Sequence, residues 1–282
     1  MRFDGAAPAD LPSPPRFYRN LELGPDGMLA ATLLDRDRSD VWLVDPRDGA
    51  LSRLTFDGFN IEPVWSPDGE WVAFASNRTG AYNVHRRRAD GSAPAELLLA
   101  SALHQHPSSW SPDGRELLFG EVGPETGFDI WVLDLATRRT RPLLRTPDHE
   151  IYAVFSPDGR WIAYGVEQRG RWEIMVRSYP FPPDGGGSWQ VSVEGGFEVN
   201  WRPDGRALLY RWGSDVWEVP VAPEGRELNP GPPRSLLHRD DLQLVTAAPA
   251  GGLYAIVEER PKQDAEAREV QVVVGWQGAL PR

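Results

Sequence analysis

Short apolar segments recur along the chain at nearly even spacing. Residues 71–74, 117–119, 161–164 and 208–210 are such segments, and each follows a Pro-Asp-Gly tripeptide. A period this constant indicates a structural repeat of about 45 residues. The tripeptide begins at Pro25, Pro67, Pro112, Pro157 and Pro203, and Pro249-Ala250-Gly251 is a degenerate sixth copy, so the intervals are 42, 45, 45, 46 and 46 residues.

Each repeat has the pattern of a four-stranded antiparallel sheet. Pro sets φ for the first turn position, Asp suits the second, and Gly accepts the left-handed conformation that closes a hairpin. A third strand follows about ten residues after the second and opens with Asp at 40, 129 and 215. A short fourth strand is predicted at 53–55, 96–98, 142–144, 189–191 and 235–237. In most copies a bulky residue stands two places before the Pro: Leu23, Trp65, Trp110, Phe155 and Trp201.

Six such units over residues 1–282 predict one all-β domain, a six-bladed β-propeller with four-stranded antiparallel blades. The 12 Trp side chains are expected to fill the gaps between neighbouring blades, because aromatic groups bury the largest area. The sixth unit has only three strand segments, at 244–248, 253–257 and 270–274. We therefore expect residues 9–13 to supply its fourth strand and to cover the open edge.

The composition narrows the classes of function. The chain has no Cys, which excludes a disulfide framework, a thiolate metal site and a Cys nucleophile. Its formal net charge of -11 disfavours binding to nucleic acid. The N-terminal residues lack the apolar run of a signal peptide, and no segment approaches the ~18 apolar residues of a membrane span. We therefore expect a soluble chain without membrane insertion, in the cytoplasm or the periplasm.

Several motifs resemble a known family. Trp-Ser-Pro-Asp-Gly at 65–69 and 110–114, Arg-Leu-Thr-Phe-Asp-Gly at 53–58 and Asp-Ile-Trp-Val at 129–132 resemble the TolB-type propeller repeat of bacteria. Residues 170–210 are closer still to the propellers at the C-terminus of bacterial eukaryotic-like Ser/Thr kinases. The motifs there are Gly-Arg-Trp-Glu-Ile-Met-Val-Arg at 170–177 and Trp-Arg-Pro-Asp-Gly at 201–205.

The resemblance implies a non-catalytic binding or scaffold propeller, the sensory or protein-docking module of a bacterial signalling or envelope system. A protein or peptide partner is expected, a small ligand is a further possibility, and no cofactor is predicted. Neither a kinase domain nor the N-terminal domain of TolB precedes the repeats in this sequence. The partners of TolB are therefore not carried over.

The candidate binding residues lie in the loops that enter the innermost strands, because a propeller brings side chains from all its blades together there. These residues are polar and acidic, apart from the aromatic Phe197 beside them. Glu62, Glu150 and Glu198 come from successive blades, and their summed field is expected to attract a Lys or Arg side chain or a metal ion. The full set is Asn60, Glu62, His104, Gln105, His106, His149, Glu150, Tyr152, Glu198 and Gln243.

Three interpretations of this set stay open. The residues are solvated or bonded to neighbouring loops, or they form a docking surface, or His and carboxylate ligands hold a divalent cation. His104, Gln105, His106 and His149 loosely resemble the ligands of oligogalacturonate lyases, which carry similar repeats. The alternative function is thus a metal-assisted lyase or hydrolase acting on an oligosaccharide. The sequence has no Gly-x-Ser-x-Gly motif, which excludes an attached serine hydrolase of that type.

Overall fold

The regular elements of the protein are β-strands. The computed structural model describes residues 9–14, 16–181, 186–225, 227–247, 253–258 and 270–274. In chain order the strands are β1 (Ala9–Asp10), β2 (Phe17–Leu23), β3 (Leu29–Asp35), β4 (Arg38–Val44), β5 (Leu51–Arg53), β6 (Asn60–Trp65), β7 (Trp71–Ser76), β8 (Asn83–Arg88), β9 (Glu96–Leu99), β10 (Gln105–Trp110), β11 (Glu116–Gly123), β12 (Gly127–Asp134), β13 (Thr140–Leu144), β14 (His149–Phe155), β15 (Trp161–Gln168), β16 (Arg171–Ser178), β17 (Ser188–Gln190), β18 (Phe197–Trp201), β19 (Ala207–Trp212), β20 (Asp215–Glu224), β21 (Glu227–Pro230), β22 (Arg234–His238), β23 (Leu242–Ala247), β24 (Leu253–Glu258) and β25 (Val270–Val274).

These strands form six antiparallel sheets. Sheets 1 to 4 are the meanders β2–β5, β6–β9, β10–β13 and β14–β17. Sheet 5 has the order β18-β19-β20-β21, with β22 also paired to β20, and sheet 6 has the order β23-β24-β25-β1. The first strand of each sheet contacts the first strand of the next, and β23 contacts β2, which closes a ring. We call β2, β6, β10, β14, β18 and β23 the inner strands.

The prediction of an all-β propeller with antiparallel blades is confirmed. Four strands per blade is correct for five sheets and wrong for sheet 5, which has five. The reason lies in β20, a ten-residue strand whose first half pairs with β22 and whose second half pairs with β21. The predicted fourth strand, at 235–237, therefore exists within β22, and β21 is an addition that the sequence pattern did not indicate.

Tryptophan and other aromatic side chains fill the spaces between neighbouring sheets, as predicted. Trp65 packs with side chains of sheets 1 and 2, Trp110 with sheets 2 and 3, and Phe155 with sheets 3 and 4. Trp161 and Trp201 lie in one cluster between sheets 4 and 5. Contacts between sheets are therefore apolar, and the fold is stabilised mainly by burial of these groups.

The Pro-Asp-Gly turns join each inner strand to the second strand, and they are built as predicted. The amide of Gly114 donates to the carbonyl of Ser111 at 2.8 Å, and the amide of Gly159 to that of Ser156 at 2.9 Å. Both glycines are left-handed, with φ of 71° and 70°. A Cβ on Gly159 would lie 3.5 Å from Pro112 of the preceding turn. The turns thus touch one another around one end of the ring; the turn at Pro249 lies outside the described residues.

Replacing Gly159 with Val is expected to lower the free energy of unfolding by about 1 to 3 kcal/mol. A β-branched residue is strained at this φ, and its branches would also press on Pro112. Chemical denaturation of the variant and of the wild type measures the loss. Equal stability of the two proteins would show that this turn tolerates a side chain.

The N-terminal segment completes sheet 6. Ala9 pairs with Val274 and Asp10 with Val273, so β1 is the outermost strand of this sheet, as expected, although it is shorter than the predicted 9–13. The chain then continues along sheet 1, where Leu11 packs against the core. Gly49 has no room for a side chain, because a Cβ there would lie 2.2 Å from the carbonyl oxygen of Pro12.

Deleting residues 1–13 is expected to lower the melting temperature by several degrees and to promote aggregation. The deletion removes the apolar contacts of Leu11 and leaves the edge of β25 free to pair with another chain. Differential scanning calorimetry and light scattering would report both effects. A truncated protein that stays monomeric and has the melting temperature of the full chain would show that residues 1–13 are not needed to complete sheet 6.

Candidate functional site

A cavity of about 1080 Å³ runs along the centre of the ring, lined by all six inner strands. At one end, the turn end, its wall includes Pro25, Pro67, Pro112, Pro157 and Pro203 of the Pro-Asp-Gly turns. At the other end, the loop end, the inner strands begin, and loops arrive from the preceding sheet. We call this space the central cavity.

Each inner strand has a bulge near the loop end. In sheets 2, 4 and 5 the ladder slips by one residue between Ile61 and Val64, between Ile151 and Val154, and between Phe197 and Asn200. The other three inner strands have equivalent irregularities. Bulges re-aim side chains and often occur beside functional sites.

Three bulge residues adopt the left-handed backbone conformation without being glycine. Glu62, Tyr152 and Glu198 have φ of 54°, 51° and 54°, and all three line the central cavity. Each stands three residues before the bulky residue that ends its strand. Such a conformation costs about 1 to 3 kcal/mol per residue, and it is concentrated at ligand-binding sites. We call these residues the bulge trio.

Both carboxylates of the bulge trio have a cationic or ionisable partner. Oε2 of Glu62 lies 2.8 Å from Nδ1 of His106, and Oε2 of Glu198 accepts from Nε of Arg211 at 2.9 Å. The side chains of this second pair are mostly buried. Burial, together with the charges of Glu62 and Glu198, raises the pKa of Tyr152 to about 12. Tyr152 therefore stays a neutral hydrogen-bond donor at physiological pH.

Aromatic rings cover the wall on the side of sheets 4 and 5. The rings of Tyr152 and Phe197 meet edge to face at 5.2 Å, and those of Trp172 and Phe197 at 5.4 Å. On sheet 3 the rings of His106 and Phe128 are 6.0 Å apart. All five side chains line the central cavity. The loop end thus combines aromatic faces with carboxylates.

Five of the ten predicted site residues line the central cavity: Glu62, His106, His149, Tyr152 and Glu198. The other five are not among the residues that line it. Asn60 is fully buried, donating to Asp40 and accepting from Arg78. Gln105 is buried and donates to Glu121 at 2.8 Å. His104 accepts from the amide of Tyr82, and Gln243 is exposed at the bulge of β23.

Glu150 is buried away from the central cavity. It is 2% exposed, accepts from Thr146, and has its second oxygen buried without a hydrogen-bond partner among the described residues. Burial raises its pKa. Counting back from the strand-ending residue explains the difference: Glu62 and Glu198 stand three places before it, whereas Glu150 stands five places before it. The equivalent of the two glutamates in sheet 4 is Tyr152, and that count was available from the sequence.

The predicted metal ligands do not converge. His104 contacts the ring of Tyr82, His106 pairs with Glu62, and His149 lies against Gly127. Within the described ranges, no group of three or more His, Asp or Glu side chains has the arrangement of a metal site.

Sequence reasoning missed one carboxyl group in the cavity wall. Glu22 lies on β2, and its Oε2 accepts from the backbone amide of Trp65 at 2.9 Å. Burial raises the pKa of Glu22 to about 8, against a smaller opposing effect of the Trp65 amide. The sequence does not indicate this raised pKa, because Glu22 lies in an inner strand that is rich in apolar residues.

The loop end also carries most of the exposed apolar side chains. Phe17 starts β2 and pairs with Leu34 near the end of β3. Among the described residues, five of the seven exposed large apolar side chains lie on segments at this end: Phe17, Leu34, Phe59, Tyr152 and Val193. The other two are Leu97 on an outer strand and Phe56, whose ring packs against Arg53 and Arg87.

Comparison with known proteins places this architecture among the β-propellers. A putative TolB from Agrobacterium tumefaciens superposes with a TM-score of 0.63 at 18% identity, over 77% of this chain and 81% of that one. An oligogalacturonate lyase from Vibrio parahaemolyticus superposes with a TM-score of 0.61 at 13% identity, over 86% of this chain and 73% of that one. Identities this low show the shared fold alone.

Sequence relatives support a TolB-like propeller more specifically. A TolB homologue of Chlorobium luteolum is 29% identical over 141 residues, 49% of this chain and 31% of the relative. An uncharacterised protein of Agrobacterium fabrum is 37% identical over 97 residues, 34% of this chain and 33% of its own length. Tricorn protease homolog 1 of Streptomyces coelicolor is 31% identical over 156 residues, which are 52% of this chain and 14% of the relative.

The matched stretches span a third or less of these relatives' own length. No protein-family model matches the chain. Within the described residues, no helix is long and apolar enough to cross a membrane.

Proposed function

We propose that this chain is a non-catalytic binding propeller that docks a protein or peptide partner at the loop end of its central cavity. The bulge trio is the observation that carries this proposal. Three inner strands hold a non-glycine residue in the left-handed conformation at the same repeat position, and all three side chains line the cavity. Backbone strain repeated in this way is hard to explain by packing alone and fits a binding role.

The surroundings of the bulge trio suit a macromolecular partner. Exposed Phe17, Phe59 and Val193 extend the contact area beyond the cavity. Aromatic residues such as Tyr152 supply large contact areas with little loss of conformational entropy, and they dominate the energetics of many protein interfaces. A small ligand would occupy the cavity alone and would leave this apolar rim unused.

The wider role follows from the likeness to TolB-type propellers and stays part of the proposal. The ring acts as one unit, a single six-bladed domain over residues 1–282, in a bacterial signalling or envelope system. We further propose a sensory module that recognises a partner protein, which is what the resemblance of residues 170–210 to kinase-borne propellers implies.

The alternative, a metal-assisted lyase or hydrolase of oligosaccharides, has less support. Oligogalacturonate lyases share the fold at 13% and 15% identity, but His104, Gln105, His106 and His149 do not form a common ligand set among the described residues. Release of an unsaturated uronate from an oligogalacturonate in the presence of Mn²⁺ would favour this enzyme.

Peptide selection tests the docking proposal. A random peptide library displayed on phage is enriched on the purified full chain, and the affinities of the selected peptides are measured by fluorescence polarisation. We expect Tyr152→Ala and Glu62→Gln each to weaken binding at least tenfold. Glu70→Gln is the matched control, because Glu70 is exposed beside a Pro-Asp-Gly turn, outside the cavity.

Two results would contradict the proposal. One is a selection that enriches no peptide. The other is a set of peptides whose affinity is unchanged by both loop-end variants while Glu70→Gln weakens it.

A further inference from the structure

A single carboxyl group lies deeper in the central cavity than the bulge trio. Glu22 stands one residue before the end of β2, whereas each residue of the bulge trio stands three residues before the end of its strand. Glu22 is therefore two positions closer to the turn end. The equivalent residues of the other inner strands are all neutral: Val64, Ser109, Val154, Asn200 and Thr246. Glu22 is therefore an isolated carboxyl in a neutral ring of side chains.

No cation pairs with Glu22 among the described residues. Its Oε2 is held by the Trp65 amide, and no partner of Oε1 is found there. The other ionisable groups facing the cavity are Glu62 with His106, His149 and Tyr152, and Glu198 with Arg211. Arg19 is near Tyr152 at the loop end, and the cavity-lining residues of β23, Leu244 and Thr246, do not titrate. Glu22 is thus available to a cation from outside.

Two further polar residues line the central cavity, Asn20 on β2 and Ser108 on β10. Their Oδ1 and Oγ atoms are buried and have no hydrogen-bond partner among the described residues. Across the ring, sheet 4 presents the ring of Tyr152 against Phe197. Sheet 1 therefore offers the carboxyl group of Glu22, and the opposite side of the ring offers aromatic faces.

We propose that the central cavity admits an arginine side chain of the docked partner and pairs its guanidinium with Glu22. This inference rests on the proposed function, since the arginine is delivered by a partner bound at the loop end. The aliphatic stem of the arginine passes between the residues of the bulge trio, where Tyr152 and Phe197 contact it. Two residues along a strand correspond to about 7 Å, a depth that suits a long side chain.

Arginine fits these walls better than lysine. Guanidinium is planar, is always charged, and carries five N–H donors in a fixed geometry that matches the two oxygens of a carboxylate. It also stacks on aromatic rings and is more weakly hydrated than an ammonium group, so its transfer into a partly apolar cavity costs less.

Proton release is the signature of this pairing. Because Glu22 has a pKa of about 8, it is mainly protonated at pH 7, and guanidinium favours its ionised form. Binding at pH 7 should therefore release close to one proton. The affinity should rise roughly tenfold from pH 7 to pH 9, as the ionised fraction approaches one.

Calorimetric titration of the full chain with the peptide Ac-Gly-Arg-Gly-NH2 tests the inference. Titrations in two buffers of different ionisation enthalpy give the number of protons released, and the same peptide with citrulline in place of Arg is the neutral probe. We expect the tenfold rise with pH for the Arg peptide alone. In Glu22→Gln the affinity at pH 9 should fall at least tenfold and lose its pH dependence, whereas Glu70→Gln should match the wild type.

Equal affinity for the Arg and citrulline peptides, or an unchanged pH profile in Glu22→Gln, would overturn the inference. Its failure is distinguishable from failure of the docking proposal. Selected peptides that depend on Tyr152 but not on Glu22 would leave docking intact and remove the arginine site. A protein that binds neither kind of peptide would contradict both.

Discussion

Replacing Glu22 with Gln is expected to stabilise the protein at pH 9 by about 2 to 4 kcal/mol and to leave it almost unchanged near pH 4.5. Gln keeps an oxygen that can accept from the Trp65 amide, so the neutral form of the site is preserved. What the substitution removes is the cost of placing a carboxylate in the cavity wall.

The sign of this pH dependence follows from the pKa of Glu22 in the unfolded chain and in the folded protein. Glu22 has an ordinary pKa of 4.5 in the unfolded chain and a pKa of about 8 in the folded protein. Below 4.5 the group is protonated in both states and adds no penalty. Between 4.5 and 8 the unfolded state loses its proton first, so the folded state loses stability as the pH rises, and above 8 the loss is constant. The full shift would correspond to about 5 kcal/mol, which partial exposure to the cavity reduces.

Urea denaturation of wild type and Glu22→Gln at pH 5, 7 and 9 measures the difference. Glu70→Gln, which changes an exposed glutamate, should show little change at any of the three values. A difference between wild type and Glu22→Gln that is flat with pH, or that shrinks as the pH rises, would show that Glu22 is not a buried carboxyl.

Replacing Arg202 with Met is expected to lower the free energy of unfolding by about 3 kcal/mol. Nε of Arg202 donates to Oε1 of Glu218 at 2.7 Å, and both side chains are nearly buried. Glu218 is also bound by Arg234, its cross-strand neighbour on β22. Removing one partner of a buried ion pair costs about 3 to 5 kcal/mol, and we expect the low end because Arg234 keeps the other oxygen paired.

The matched control for this variant is Arg160→Met. Arg160 pairs with Asp158 at 2.7 Å, but both side chains are about half exposed, and such pairs contribute about 0 to 1 kcal/mol. Chemical denaturation of the two variants compares a buried pair with an exposed one in neighbouring sheets. Equal losses would mean that Glu218 reaches solvent when Arg202 is absent.

Much of the fold was predictable because the repeat combines turn chemistry with periodic burial. Pro and Gly of the turn motif restrict the backbone to one hairpin geometry, which the φ of Gly114 and Gly159 bears out. Trp65 and Trp110 at a fixed distance before the turn identified the strand ends. The extra strand β21 was not predictable, because residues 227–230 have no alternating pattern and pair with β20 through the backbone.

The candidate site was predicted only in part, for a physical reason. Side chains alternate between the two faces of a strand, and one bulge residue reverses which of them face the cavity. Nothing in the residues of β6 or β14 announces a bulge, although the count back from Trp65 and from Phe155 distinguishes Glu62 from Glu150. Glu22 escaped notice because its raised pKa depends on burial by other sheets, which a local pattern does not contain.

The most direct test of the central claim, that the loop end of the central cavity binds a partner, is a crystal structure of the full chain with a selected peptide. We expect the peptide to lie across the loop end, to contact Tyr152 and Phe197, and to insert a side chain between Glu62 and Glu198 toward Glu22. A peptide bound on an outer strand or at the turn end, with the loop end free, would contradict it.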